Sequence, residues 1–134
     1  MAFFQFVQNN SYGVFTVNDT VCHRLFIEAD THDEAVEKAE ELGCYWEGVS
    51  GGIDCPCCGD RWSYWNDRPV ETDDIEAHAQ NLADSFGWTS PDARIFYKNG
   101  RVSEIYSDGT IERKVIMWKK DDVYLHIKNL KKEN

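Results

Sequence analysis

Three of the five cysteines stand within four residues, in the loop Asp54-Cys55-Pro56-Cys57-Cys58-Gly59-Asp60. The Cys55-Pro-x-Cys58-Gly spacing has the pattern of a zinc knuckle. Proline stiffens the turn, two intervening residues aim both thiolates at one point, and glycine permits the tight exit. Zinc takes four nitrogen or sulfur donors, so Cys55 and Cys58 leave two places to fill. The candidates are Cys57, in the same loop, and the pair Cys22-His23 upstream. Neighbours in a regular strand point to opposite faces, so Cys22 and His23 reach one ion together only if the strand bulges or ends there. The expected cofactor is a structural Zn2+. Cys44 follows Gly43 at a strand start and is assigned to the core, while His32, His78 and His126 read as ordinary surface or core histidines. A buried cluster of inert thiols is the plainer alternative for the loop.

Other chemistries fit less well. A redox Cys-x-x-Cys works at a helix N-terminus, and Gly59-Asp60-Arg61-Trp62 does not open a helical pattern. A catalytic zinc needs a positioned general base, and Asp54 and Asp60 serve equally well as partners for the loop's own amides. The chain has no Gly-rich phosphate loop, no paired-histidine motif and no nucleophile elbow. The expectation is a binder rather than an enzyme. Trp46 and Trp62 are assigned to the core around the loop; Tyr64 and Trp65 are candidates for a partner-facing aromatic patch. Arg94, Arg101 and Arg113, with Tyr97 and Tyr106, could line a site for an anionic small ligand or simply pair across an exposed sheet face.

These residues need a scaffold. Residues 3–7 and 13–17 are short aromatic and β-branched runs around a turn-rich stretch and predict a hairpin; residues 21–29 predict a third strand, with Val21, His23, Leu25 and Ile27 on one face. Thr31 with Glu34 forms a capping box for a helix carrying Ala35, Ala39 and Leu42 on its apolar stripe and stopping at Gly43. Glu37, Glu40 and Glu41 must then largely face water, which makes them candidate partner contacts. Residues 45–49 predict a strand, 62–69 an irregular segment, and Thr72 the cap of a second helix with Ile75, Ala79, Leu82 and Phe86 inward and Gly87 at its end. From Arg94 the turn signals Lys98-Asn99-Gly100-Arg101 and Ser107-Asp108-Gly109-Thr110 predict a β-meander; residues 119–122 turn into a last strand over 123–127. The fold class expected is α+β: an antiparallel sheet, made of the N-terminal hairpin and the C-terminal meander, with two α-helices packed on it. Residues 1–134 are expected to form a single domain, with 128–134 as a flexible tail.

Composition bounds the partners. The net charge is −10, but residues 1–93 carry 18 acidic and 4 basic side chains, whereas 94–134 carry 10 basic and 6 acidic. Direct nucleic-acid binding is disfavoured, because phosphate contact needs a basic footprint. An acidic surface suits solubility or a partner with a basic groove. The N-terminus shows neither a signal peptide nor a membrane span, and the cysteine pattern suits a reducing compartment, so a cytoplasmic location is expected.

The runs Phe6-Val7-Gln8-Asn9-Asn10-Ser11, Val21-Cys22-His23-Arg24-Leu25-Phe26-Ile27-Glu28-Ala29, Asp54-Cys55-Pro56-Cys57-Cys58-Gly59-Asp60-Arg61-Trp62 and Gly87-Trp88-Thr89-Ser90-Pro91-Asp92-Ala93-Arg94-Ile95 together resemble a family of small phage and prophage proteins, over residues 3–106. That family includes zinc-containing type II anti-CRISPR proteins. The resemblance implies an acidic protein in the host cytoplasm that binds a type II CRISPR nuclease and blocks its engagement of target DNA. It also implies Cys55, Cys57, Cys58, Cys22 and His23 as metal-site residues, and no catalytic residue. The alternative function is a phage sponge that sequesters a nucleotide immune signal through the arginines and tyrosines of the meander.

Overall fold

Strand β2 (Arg24–Ala29) is apolar on both faces, with Leu25, Phe26 and Ile27 all fully buried. A strand of that kind must be covered from both sides, and it is. Helix α1 (His32–Leu42) packs with Leu25 and Ile27 on one face, and helix α2 (Ile75–Ser85) packs with Phe26 on the other. The computed structural model describes residues 2–85, 88–116 and 118.

Among the described residues the sheet has five strands in sequence order: β1 (Ala2–Val7), β2, β3 (Ala93–Phe96), β4 (Arg101–Ile105) and β5 (Ile111–Val115). Neighbours are antiparallel except β2 and β3, which run parallel with Arg24 beside Ala93. This is an α+β fold with a mostly antiparallel sheet and helices on opposite faces. No described helix is long and apolar enough to cross a membrane.

Local signals place several elements. Thr31 caps α1 by accepting from the Glu34 amide at 3.2 Å, while Gly43 closes the helix in the left-handed conformation (φ 119°). Ala35, Ala39 and Leu42 face inward as their spacing requires. The meander follows its two Gly-containing turns, with Gly100 and Gly109 both at positive φ.

Four expectations are corrected. Residues 13–17 form no strand, and β1 pairs with β2 instead of a hairpin partner. Val14 and Val17 are exposed, so that run has no buried face to present, and the Gln8 side chain holds the segment by bonding both the amide and the carbonyl of Thr16. Val21, Cys22 and His23 precede β2 rather than belonging to it, yet all are buried. Residues 45–49 form no strand: Val49 donates to Asp60, and Gly48 and Val49 belong to a turn in which Ile53 donates to Gly48. Asp74, rather than Thr72, receives the Ala77 amide at the start of α2 (3.1 Å), with Thr72 accepting from Asp74 one step earlier. Phe86, Gly87 and the expected turn, strand and tail over 119–134 lie outside the described residues.

Candidate functional site

The cysteine loop stands on a buried polar seam. Asp54 is the keystone: its carboxylate accepts from the Arg61 amide (2.8 Å) and the Tyr45 hydroxyl (2.6 Å), and the Arg61 Nε lies 3.8 Å away. Burial, together with this hydrogen bond to Asp54, raises the Tyr45 hydroxyl above its ordinary pKa. The Arg61 guanidinium donates to Gln8 Oε1 (2.7 Å), the Val14 carbonyl (2.8 Å) and the Asn9 carbonyl (3.3 Å). Gln8 in turn donates to the Cys22 carbonyl at 2.8 Å. The loop's exit is therefore tied to the end of β1 and to the approach to β2. Gly48 is required here, since a Cβ at that position would overlap the Asp54 carboxylate.

Above this seam the cysteine turn closes by bonds from the amides of Cys58 (3.2 Å) and Gly59 (3.1 Å) to the Cys55 carbonyl. Asn9 donates its side-chain amide to the Cys58 carbonyl. The backbone amides of Cys57 and then Cys58 point at the Cys55 sulfur and hold its thiol below the ordinary range. Amides converging on a sulfur suit a metal-bound thiolate, and Cys57 and Cys58 are exposed beside it. The loop's donors therefore fit zinc in kind. As the side chains stand, no three His, Cys, Asp or Glu residues among those described form a metal-holding group.

Cys22 and His23 face elsewhere. The Cys22 thiol donates to the Arg24 carbonyl (3.3 Å), sits in the core near Cys44, and is pushed up to about 12 by burial. His23 lies 3.4 Å from Asp92, which also accepts from Arg24 at 2.7 Å. Burial opposes ionisation of Asp92, but the His23 hydrogen bond and the Arg24 charge outweigh it and hold that carboxyl below its usual range.

Residues 1–128 match the family described as Domain of unknown function (DUF7296). The chain belongs to that family. No curated protein and no solved structure matches it.

On the surface of this DUF7296 chain, Asp33, Glu37 and Glu40 are exposed and Glu41 half-buried. At about 100° per residue they occupy one side of α1. Trp62 is buried and Trp46 half-buried, as assigned, whereas Tyr64 is 41% and Trp65 71% exposed. Trp46, Tyr64 and Trp65 form an aromatic run, with ring centroids 5.2 and 6.3 Å apart. Across the molecule an open cleft of about 500 Å³ is lined by Glu76, Tyr97, Arg101, Ser103 and Arg113 among others. Glu76 accepts from Ser103 (2.7 Å) and Arg113 (2.8 Å), so a carboxylate already sits in it. Arg94 does not line that cleft. It is buried and bonded to Glu104 (2.7 Å) and to the carbonyls of Asn18 and Val21.

Sequence reasoning did not single out Arg61 and Gln8 as a joined pair. Their separation of 53 positions leaves no local signal, and Gln8 reads as an ordinary turn residue.

Proposed function

We propose that this protein acts by binding another protein, as a stoichiometric inhibitor of a type II RNA-guided CRISPR nuclease that blocks engagement of target DNA in the host cytoplasm. The observation that carries this reading is the acidic side of α1, where Asp33, Glu37, Glu40 and Glu41 gather with no basic residue among them. Such a face complements a basic nucleic-acid channel, and it disfavours direct binding of nucleic acid. Tyr64 and Trp65 extend the contact. In the same reading Cys55, Cys57 and Cys58 supply three of the four ligands of a structural Zn2+, which fixes the loop that precedes Tyr64 and Trp65. Zinc there would supply folding free energy rather than reactivity, so removing it should lower the melting temperature.

The test is complex formation and cleavage inhibition against a panel of purified type II effectors. Binding should weaken as salt rises, because exposed charges are screened. The triple variant Glu37→Lys, Glu40→Lys, Glu41→Lys should lose affinity while keeping its melting temperature. Absence of any complex across the panel would retire the reading.

A second reading is favoured by the cleft beside Arg101 and Arg113, with Tyr97 in its wall. A nucleotide immune signal could displace Glu76 from Arg113 there, which is the sponge alternative. Calorimetry with cyclic nucleotides separates the two.

A further inference from the structure

Among the described strands β5 ends the sheet, and its sequence Ile111-Glu112-Arg113-Lys114-Val115 is complementary to its own reverse on either side of Arg113. We propose that two copies of this chain join edge to edge by antiparallel pairing of their β5 strands, centred on Arg113.

The backbone geometry leaves the correct groups facing outward. The bonds Ile116 N to Gly100 O (2.7 Å) and Tyr106 N to Thr110 O (2.9 Å) bracket the β4–β5 ladder. By the alternation of antiparallel pairing, even-numbered residues of β5 bond to β4, and Ile111, Arg113 and Val115 turn their N–H and C=O groups away from it. Among the described residues no strand pairs with that side.

The side chains choose the register. Centring on Arg113 sets Ile111 against Val115 of the second copy and Glu112 against its Lys114, each pairing occurring twice. Centring one residue earlier would set glutamate against glutamate, and one residue later lysine against lysine. Within its own chain Glu112 stands opposite Glu104, a like charge, and no cation among the described residues lies within ion-pairing distance of it. The Lys114 of a second copy, which also reaches Glu104 of its own chain at 3.1 Å, supplies one. The two Arg113 side chains at the axis are tolerated because each is already paired with Glu76 at 2.8 Å. Val115 is 73% exposed, the most exposed of the large apolar residues among those described, and this pairing covers it. Charged residues on an edge strand ordinarily keep sheets apart, but here Glu112 and Lys114 exchange places on reversal and pair.

A five-residue pairing is a small interface, so a reversible dimer is expected rather than a permanent one. Sedimentation velocity on the full chain, from micromolar to millimolar concentration, should show a monomer–dimer equilibrium. Glu112→Lys should weaken dimerisation roughly three- to tenfold through its two symmetric contacts. The monomer should melt no lower than the wild type, because the new ammonium faces Glu104 within the chain. Adding Lys114→Glu to that variant should restore dimerisation. Arg113→Pro, which removes an outward N–H that the β4 ladder does not use, should abolish it. A monomer at every concentration, as an edge covered by residues 119–134 of the same chain would give, overturns the proposal. So does a dimer indifferent to Arg113→Pro, or a charge swap that fails to restore association.

Discussion

Two arginine–carboxylate pairs in this molecule invite comparison. Arg61 Nε lies 3.8 Å from Asp54 under the cysteine loop, and Arg113 Nη2 lies 2.8 Å from Glu76 on the meander. By distance the second is the better ion pair. By environment the order reverses: the Arg61 and Asp54 side chains are 7% and 1% exposed, against 65% and 24% for Arg113 and Glu76. Water screens the exposed pair and replaces either partner when the other is removed. Nothing replaces a partner in the seam, where Arg61 also satisfies Gln8 and two carbonyls. The difference teaches that burial and the number of groups satisfied rank these pairs, and separation does not.

Breaking the seam should have the largest effect. Asp54→Ala leaves the Arg61 guanidinium buried without its carboxylate and is expected to cost about 3–5 kcal/mol in urea unfolding. A loss no greater than that of a surface substitution would show that water enters the seam. Next in size is Gly48→Ala, which removes no charge. Its methyl group would displace the Asp54 carboxylate, and a cost of roughly 1–3 kcal/mol is expected from the forced shift. The two should not add, because both act through the same carboxylate. The smallest effect belongs to the exposed pair. Arg113→Ala should leave the urea midpoint unchanged within error, and a clear destabilisation would reverse the ranking.

The fold was legible wherever its signals are local. Thr31, Glu34 and Gly43 mark the ends of α1 within the helix itself, and Asn99-Gly100 and Asp108-Gly109 mark the meander turns. The N-terminal hairpin failed because strand partners are chosen by burial across the sheet. Residues 13–17 carry suitable side chains, but β2 offers β1 a face buried on both sides. The cap of α2 shifted from Thr72 to Asp74, a two-residue error typical of a helix start with several oxygen-bearing side chains. Within the candidate site, the turn at Cys55–Cys58 and the exposure of Glu37 and Glu40 follow from sequence. The seam does not, since Gln8, Arg61 and Asp54 meet only after the loop closes on β1.

The parallel pairing of β2 with β3 has a consequence for synthesis on the ribosome. Arg24 meets Ala93, so β2 can take up β1 as soon as both emerge but must wait for α1, the cysteine loop and α2 before its other neighbour exists. During that interval an apolar strand presents an open edge, the kind of surface on which nascent chains aggregate. The same stretch, residues 1–93, holds 18 acidic side chains against 4 basic ones. Mutual repulsion between such chains opposes edge-to-edge encounter while the sheet is half built. A ribosome-stalled fragment ending before residue 93 is expected to stay dispersed at low salt and to aggregate as salt screens that repulsion, whereas release of the whole chain closes the edge.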